Sequence, residues 1–159
     1  MTTDYFTLTL LILCCISFIG LFFVIRKKNS NSQLQKCFLF IMACVLICLL
    51  GLTSQYILGN RLSIPLIYYD YIVYIGTCFL PVFLFFLSKI FANTKIKCRK
   101  RYLLLFIIPI VSLIVLWTND YHHLFYEVYS TNLNDTVTGP YTIIHYIYTY
   151  GLFSISIRI

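Results

Sequence analysis

Three histidines, His122, His123 and His145, lie in one stretch from Trp117 to Tyr150, with three acids, Asp120, Glu127 and Asp135, and many tyrosines. Imidazoles and carboxylates at close spacing can form metal sites, proton relays or ligand pockets. His123 and Glu127 stand at i and i+4, so on a helix they could share an ion. Adjacent His122 and His123 point to different helix faces, and nothing else in the sequence completes a ligand set, so no metal is expected. Haem needs facing histidines within two spans, and only His145 sits deep in an apolar run. No cofactor is expected. His145 shares a helical face with Tyr141 and Tyr148, which suits a pocket wall or a proton-sensitive relay, or a histidine simply bonded to a neighbouring helix.

A second group begins at Asp70. Asp70, Tyr74, Thr77, Pro81, Phe85 and Ser88 follow a 3–4 spacing, which sets them on one helical face. An ionisable residue in an apolar run is a candidate for function, although Asp70 also suits a solvated acid at a helix start. Pro81 and Pro109 each remove a backbone donor within an apolar run and are expected to kink their helices. The sequence has no P-loop, GxSxG or HExxH motif and no pair of buried carboxylates, so no catalysis is expected. Asn134-Asp135-Thr136 matches a glycosylation acceptor, a triplet that is common by chance.

The elements that position these residues follow from composition. The chain has 159 residues, 60% hydrophobic and 11% charged, which is more apolar than a soluble domain of this size can bury. Uncharged runs extend over Tyr5–Ile25, Cys37–Leu58, Tyr71–Ser88, Tyr102–Asn119 and Tyr141–Ile157. About 20 such residues cross a bilayer, with ~17 the lower limit. The reading is an all-α polytopic transmembrane bundle of about five spans, near 5–25, 37–58, 66–90, 102–118 and 141–158. A multi-pass protein of the cell membrane is expected.

The net charge of +7 is a topology signal rather than a mark of nucleic-acid binding. Arg26, Lys27, Lys28 and Lys36 cluster between the first two runs. Lys89, Lys95, Lys97, Arg99, Lys100 and Arg101 cluster between the third and fourth. Basic loops remain cytoplasmic, so the N-terminus is expected outside, and the acids fall at or near the outer side. The seven cysteines lie within spans or at their cytoplasmic ends, which suits small apolar packing residues better than a disulfide framework.

The outer piece Asp120 to Pro140 is the one sizeable extramembrane segment. Tyr121, Leu124, Phe125 and Val128 are spaced for one face of a short interfacial helix, and Ser130 to Pro140 reads as loop. Tyr68, Tyr69, Tyr71, Tyr126, Tyr129, Tyr141 and Trp117 crowd the outer ends of the spans, as interface aromatics do.

Three patches resemble the N-terminal seven-helix sensor region of bacterial histidine kinases, also found on some diguanylate cyclases. They are YIVYIGTCFLPVFLFFLSKIFAN (Tyr71 to Asn93), IIPIVSLIVLWTNDYHHLFYEVY (Ile107 to Tyr129) and GPYTIIHYIYTYGL (Gly139 to Leu152). Gly76, Pro81, Thr118, Asn119, His123, Leu124, Gly139, Pro140, His145 and Tyr148 match that pattern. The resemblance covers nearly the whole chain and about two-thirds of such a sensor, so a partial sensor is expected, without the kinase segments. It implies a signal-input module of a two-component receptor, with Asp70, Tyr74, Thr118, Asn119, His123, His145 and Tyr148 as candidates for ligand or signal. The partners implied are the lipid bilayer, a small-molecule or peptide ligand and a second copy in a homodimer. The alternatives are a transporter or channel fragment and a structural or nonfunctional truncated membrane protein.

Overall fold

The computed structural model describes residues 2–27, 32–58, 65, 67–93, 100–130 and 135–159. In order these form α1 (Thr2–Lys27), α2 (Gln33–Leu58), α3 (Ile67–Asn93), a 3-10 helix (Lys100–Phe106), α4 (Ile107–Trp117), α5 (Asn119–His122), β1 (Tyr126–Val128), β2 (Val137–Thr138) and α6 (Pro140–Arg158). The all-α class holds, with one small hairpin added. By length and composition α1, α2 and α3 can each cross a membrane, and the apolar stretch Tyr102–Trp117 is shorter. Lys28, Arg61, Lys95, Lys97, Arg99, Cys98 and Asn134 lie outside the described residues.

The chain divides into two compact units, Met1–Leu80 and Pro81–Ile159. In the first, α1 packs along α2. Ser32 opens α2 as its cap, its hydroxyl accepting from the Gln35 amide at 3.2 Å, and the Gln35 side chain donates to the Ile25 carbonyl at 2.6 Å. Cys15 is the one buried side chain among those described in α1, and its thiol lies 3.6 Å from the Thr53 hydroxyl. Leu13, Ile16, Phe23 and Val24 point outward, more than half exposed. A helix apolar all round with such an outer surface belongs in lipid.

Two glycines bring α2 and the first half of α3 together. A Cβ on Gly51 would lie 2.7 Å from Val73 Cγ2. A Cβ on Gly76 would overlap the Cys44 carbonyl oxygen and Cys48 Sγ. Small residues allow this approach, as is usual where apolar helices meet in lipid. The Cys48 thiol also reaches the Val73 carbonyl at 3.4 Å. The six described cysteines are free thiols.

The second unit holds the C-terminal half of α3 from Pro81, the 3-10 helix, α4, α5, the hairpin and α6. Val82, Phe85 and Leu152 form its buried core, with Phe86, Tyr102, Leu105, Phe106 and Tyr148 packed around them. Phe86 meets Tyr102 edge-on at 5.5 Å and stacks on Phe106 at 6.1 Å. On α6, Thr142, His145 and Leu152 face inward, while Ile143, Ile144, Ile147 and Ile155 are at least half exposed.

The segment that follows α4 corrects the expected interfacial helix. Helix α5 ends at His122, and His123 takes the left-handed conformation at φ 51°. The chain then forms β1, antiparallel to β2 with Tyr126 opposite Thr138. Phe125 is fully buried while Tyr121 is 89% exposed, so the two do not share a face. The physical reason is competition for amides. The side chains of His122 and Asn119 take the N–H groups of Leu124, Phe125 and Tyr126 that a longer helix would have used.

Candidate functional site

The densest polar construction among the described residues lies in the second unit, where α4 ends, the chain turns and α6 begins. Asn119 is its anchor, 3% exposed. Its Oδ1 accepts from the amides of Phe125 at 2.8 Å and Tyr126 at 3.0 Å, and its Nδ2 donates to the Tyr126 carbonyl at 2.9 Å. The Phe125 carbonyl accepts from the Gly139 amide at 2.8 Å and from the Thr142 hydroxyl. The Leu124 carbonyl accepts from the Tyr141 amide at 3.0 Å, and the Leu124 amide donates to His122 Nδ1 at 3.1 Å. Every backbone polar group from Leu124 to Tyr126 therefore has a partner, as burial demands.

This arrangement also explains the Gly-Pro pair. Gly139 is extended and serves as the cap residue of α6, and Pro140 starts the helix where no amide donor is needed. A Cβ on Gly139 would sit 2.5 Å from the Leu124 carbonyl carbon and 2.7 Å from the His123 oxygen. The start of α6 is thus pressed onto the 123–125 backbone, whose carbonyls take its first amides in place of a side-chain cap.

His122 has both ring nitrogens engaged. Nδ1 accepts from the Leu124 amide, so the neutral ring carries its proton on Nε2 and donates to Thr118 Oγ1 at 2.9 Å. The Thr118 hydroxyl in turn donates to the Ile114 carbonyl at 2.7 Å. This run ties the last turn of α4 to the cap.

Beneath the cap a second chain of polar groups joins α4 to α6. Ser112, fully buried, lies 3.1 Å from His145 Nδ1 and 3.2 Å from the Tyr141 hydroxyl. His145 is 5% exposed and its ring centre is 5.9 Å from that of Phe125, which also packs on Tyr126 and Tyr141. The Phe125 ring therefore packs at a tilt against the imidazole. Three residues beyond His145 on α6, the Tyr148 hydroxyl donates to the Leu105 carbonyl. Pro109 lacks the amide that would bond this carbonyl in α register. A neighbouring helix supplies the missing donor, as membrane helices with proline require.

Thr118, Asn119, His145 and Tyr148, expected as candidates, are thus brought into one connected region. His123 is exposed, and its place in the cap is through its backbone. Asp70 stands in the first turn of α3 and is half-buried, as is Tyr74 one turn on, and both belong to the first unit. In the α3 stripe, the Thr77 hydroxyl donates back to the Val73 carbonyl at 3.3 Å and Ser88 to Leu84 at 3.1 Å, so both hydroxyls are turned onto their own helix. Sequence reasoning missed Ser112, Thr142 and the parts that His122 and Phe125 play in the cap. Ser112 had a signal: it is the one polar side chain in IIPIVSLIVLW. His122 and Phe125 had none, because their roles depend on the turn at His123.

Residues 9–159 match the family described as the N-terminal 7TM region of histidine kinase. The chain belongs to that family. This 7TM region is a membrane sensor input domain, and it is non-catalytic. Neither the curated proteins nor the solved structures searched give a match. Among the described residues no group of three His, Cys, Asp or Glu side chains is placed to hold a metal.

Proposed function

We propose that this 7TM region receives a small-molecule or peptide ligand at the capped end of its second unit and passes the signal inward through α4 and α6. The observation that carries the reading is the Tyr141–Ser112–His145 chain, with Ser112 and His145 buried, against the Phe125 ring. Polar groups inside an apolar helix pair cost stability unless fully paired, and their presence there marks a candidate functional position. A ligand that displaces Phe125, or adds a partner for His145, binds one arrangement of the α4–α6 pair better than another, and that difference shifts the population. Thr118 and Asn119 set the rigidity of the cap, His123 lies on its exposed rim, and Tyr148 ties α6 to the start of α4. Asp70 and Tyr74 are proposed as ligand-facing residues of the first unit.

The same reading takes the N-terminus outside, five spans in the cell membrane, and a homodimer as the signalling unit. Helix α6, with 19 residues, has a length of about 28 Å. The seven residues of the 3-10 helix and the 11 of α4 together reach about 30 Å, which matches the hydrocarbon thickness. Alkaline phosphatase fused after Ser130 is expected to be active and after Arg101 inactive, and the reverse would overturn the orientation.

Trp117, the one tryptophan, adjoins Thr118 and Asn119 and serves as a fluorescence reporter of the cap. The expected result is a saturable Trp117 response to a small polar molecule or short peptide that is lost in Ser112→Ala, with no solute flux when the protein is placed in liposomes. Solute flux would favour a transporter and sink the sensor reading.

A further inference from the structure

In the first unit, positive charge gathers at the end where α1 closes and α2 opens. Arg26 and Lys27 stand in the last turn of α1, and Lys36 near the start of α2. The Gln35 side chain, bonded to the Ile25 carbonyl, holds these two helix ends side by side. The acids of this unit lie elsewhere. Asp4 begins the helix that Arg26 ends, about 33 Å away. Val73 and Gly76 of α3 meet Gly51 and Cys44 of α2 in turn, so α3 runs back along α2 and Asp70 in its first turn is also at the far end. The helix termini do not supply the missing negative charge. The free carbonyls that end α1 and the free amides that open α2 carry opposed partial charges at the same place.

The cations end an apolar strip. Ile16, Gly20, Phe23 and Lys27 follow i, i+4, i+7 and i+11, which sets them on one face of α1. It is not the face on which Cys15 meets Thr53 of α2. Ile16 and Phe23 are each 61% exposed, and a Cβ on Gly20 would meet nothing within 4 Å. Phe23, Arg26 and Lys27 line an open recess of about 420 Å³ at the charged end. From Ile16 to Arg26 the strip is about 15 Å long, half of the roughly 30 Å hydrocarbon core. We propose that this strip is a binding site for one anionic phospholipid, its phosphate on Arg26 and Lys27 and an acyl chain along Phe23 and the notch at Gly20. Charge complementarity selects the headgroup, because clustered Lys and Arg beside a span attract anionic lipid. The length of the strip selects a lipid over a free anion, because it runs the depth of one leaflet. The site rests on the place of the chain in a membrane and not on the proposed input function.

The test is native mass spectrometry of the full chain in detergent micelles, titrated with phosphatidylglycerol or with phosphatidylcholine of the same acyl chains. The expected result is preferential retention of one phosphatidylglycerol. In Arg26→Gln with Lys27→Gln that preference is expected to fall about 25-fold, from roughly fivefold for each cation near an anionic surface. Gly20→Leu keeps every charge, fills the notch and is expected to weaken retention of phosphatidylglycerol with the fold intact. Should the double variant fail to insert, Gly20→Leu decides alone. Equal retention of the two lipids, or phosphatidylglycerol retention within about twofold of the parent in every variant that inserts, overturns the site. Excess inorganic phosphate is expected to leave the lipid bound, and displacement would make this a free-phosphate site and overturn the lipid. Phe23→Cys, with the native cysteines replaced, is expected to stay monomeric on oxidation in nanodiscs. A cross-link between two copies there would give the strip to a second α1 and overturn the proposal. None of these outcomes bears on ligand reception at the cap.

Discussion

Replacing Asn119 by alanine tests whether the cap is built by one side chain. Asn119 makes three hydrogen bonds to the backbone of Phe125 and Tyr126, residues that are 0% and 9% exposed. A net hydrogen bond contributes about 1 kcal/mol, and a buried partner left unmet costs about 1–3 kcal/mol. The two amides and one carbonyl therefore lose about 3 kcal/mol of local stability together, somewhat less if water enters from the rim. Alanine leaves the helices their own hydrogen bonds, so the loss is local rather than global. Hydrogen exchange by mass spectrometry or NMR in detergent micelles reads it directly. About 3 kcal/mol corresponds to roughly 100-fold faster exchange at the Phe125 and Tyr126 amides, since 1.4 kcal/mol is about tenfold. The amides of α2 serve as the internal control and stay unchanged. Asn119→Asp keeps the Oδ1 acceptor for both amides and loses only the donor to the Tyr126 carbonyl, so exchange at Phe125 and Tyr126 is expected to rise less than in Asn119→Ala. If Asn119→Ala leaves both amides within threefold of the parent, the clamp does not hold the cap and the reasoning fails.

Other outcomes follow from the same geometry. Phe125→Ala empties a fully buried ring site and is expected to cost about 3–5 kcal/mol, seen as a lower thermal midpoint in detergent, whereas Tyr121→Ala, at an exposed position, stays within about 0.5 kcal/mol. Gly76→Ala drives a methyl into the Cys44 carbonyl and Cys48 Sγ and is expected to destabilise by about 1–3 kcal/mol, while Gly20→Ala, with nothing within 4 Å, is neutral or stabilising. Equal midpoints for the two glycine variants would remove the argument for a close α2–α3 crossing. A double-mutant cycle of Ser112→Ala and His145→Ala is expected to show a coupling of about 0.6–1.7 kcal/mol, as for membrane hydrogen bonds, and additive effects would show that the pair at 3.1 Å is not energetically linked.

The sequence by itself determined the class of this protein. Run length and the scarcity of charge require helices in lipid, because a backbone there must satisfy itself locally. Spacing alone placed Tyr141, His145 and Tyr148 on one face of α6, and the structure turns that face to Ser112 and Leu105. Helical period is a local property, and so it was legible. The cap between α4 and α6 was not. Its periodicity from Tyr121 to Val128 fits a helix, but the Asn119 and His122 side chains capture the amides such a helix needs, and that choice is stabilised by Gly139, Tyr141 and Thr142 from α6. The winding of Lys100–Phe106 was hidden for the same reason. Pro109 announces a missing donor in the sequence, but which group replaces it, the Tyr148 hydroxyl from another helix, was decided only when α4 and α6 packed together. Local periodicity fixed which residues face inward, and tertiary contact fixed which hydrogen bonds they make there.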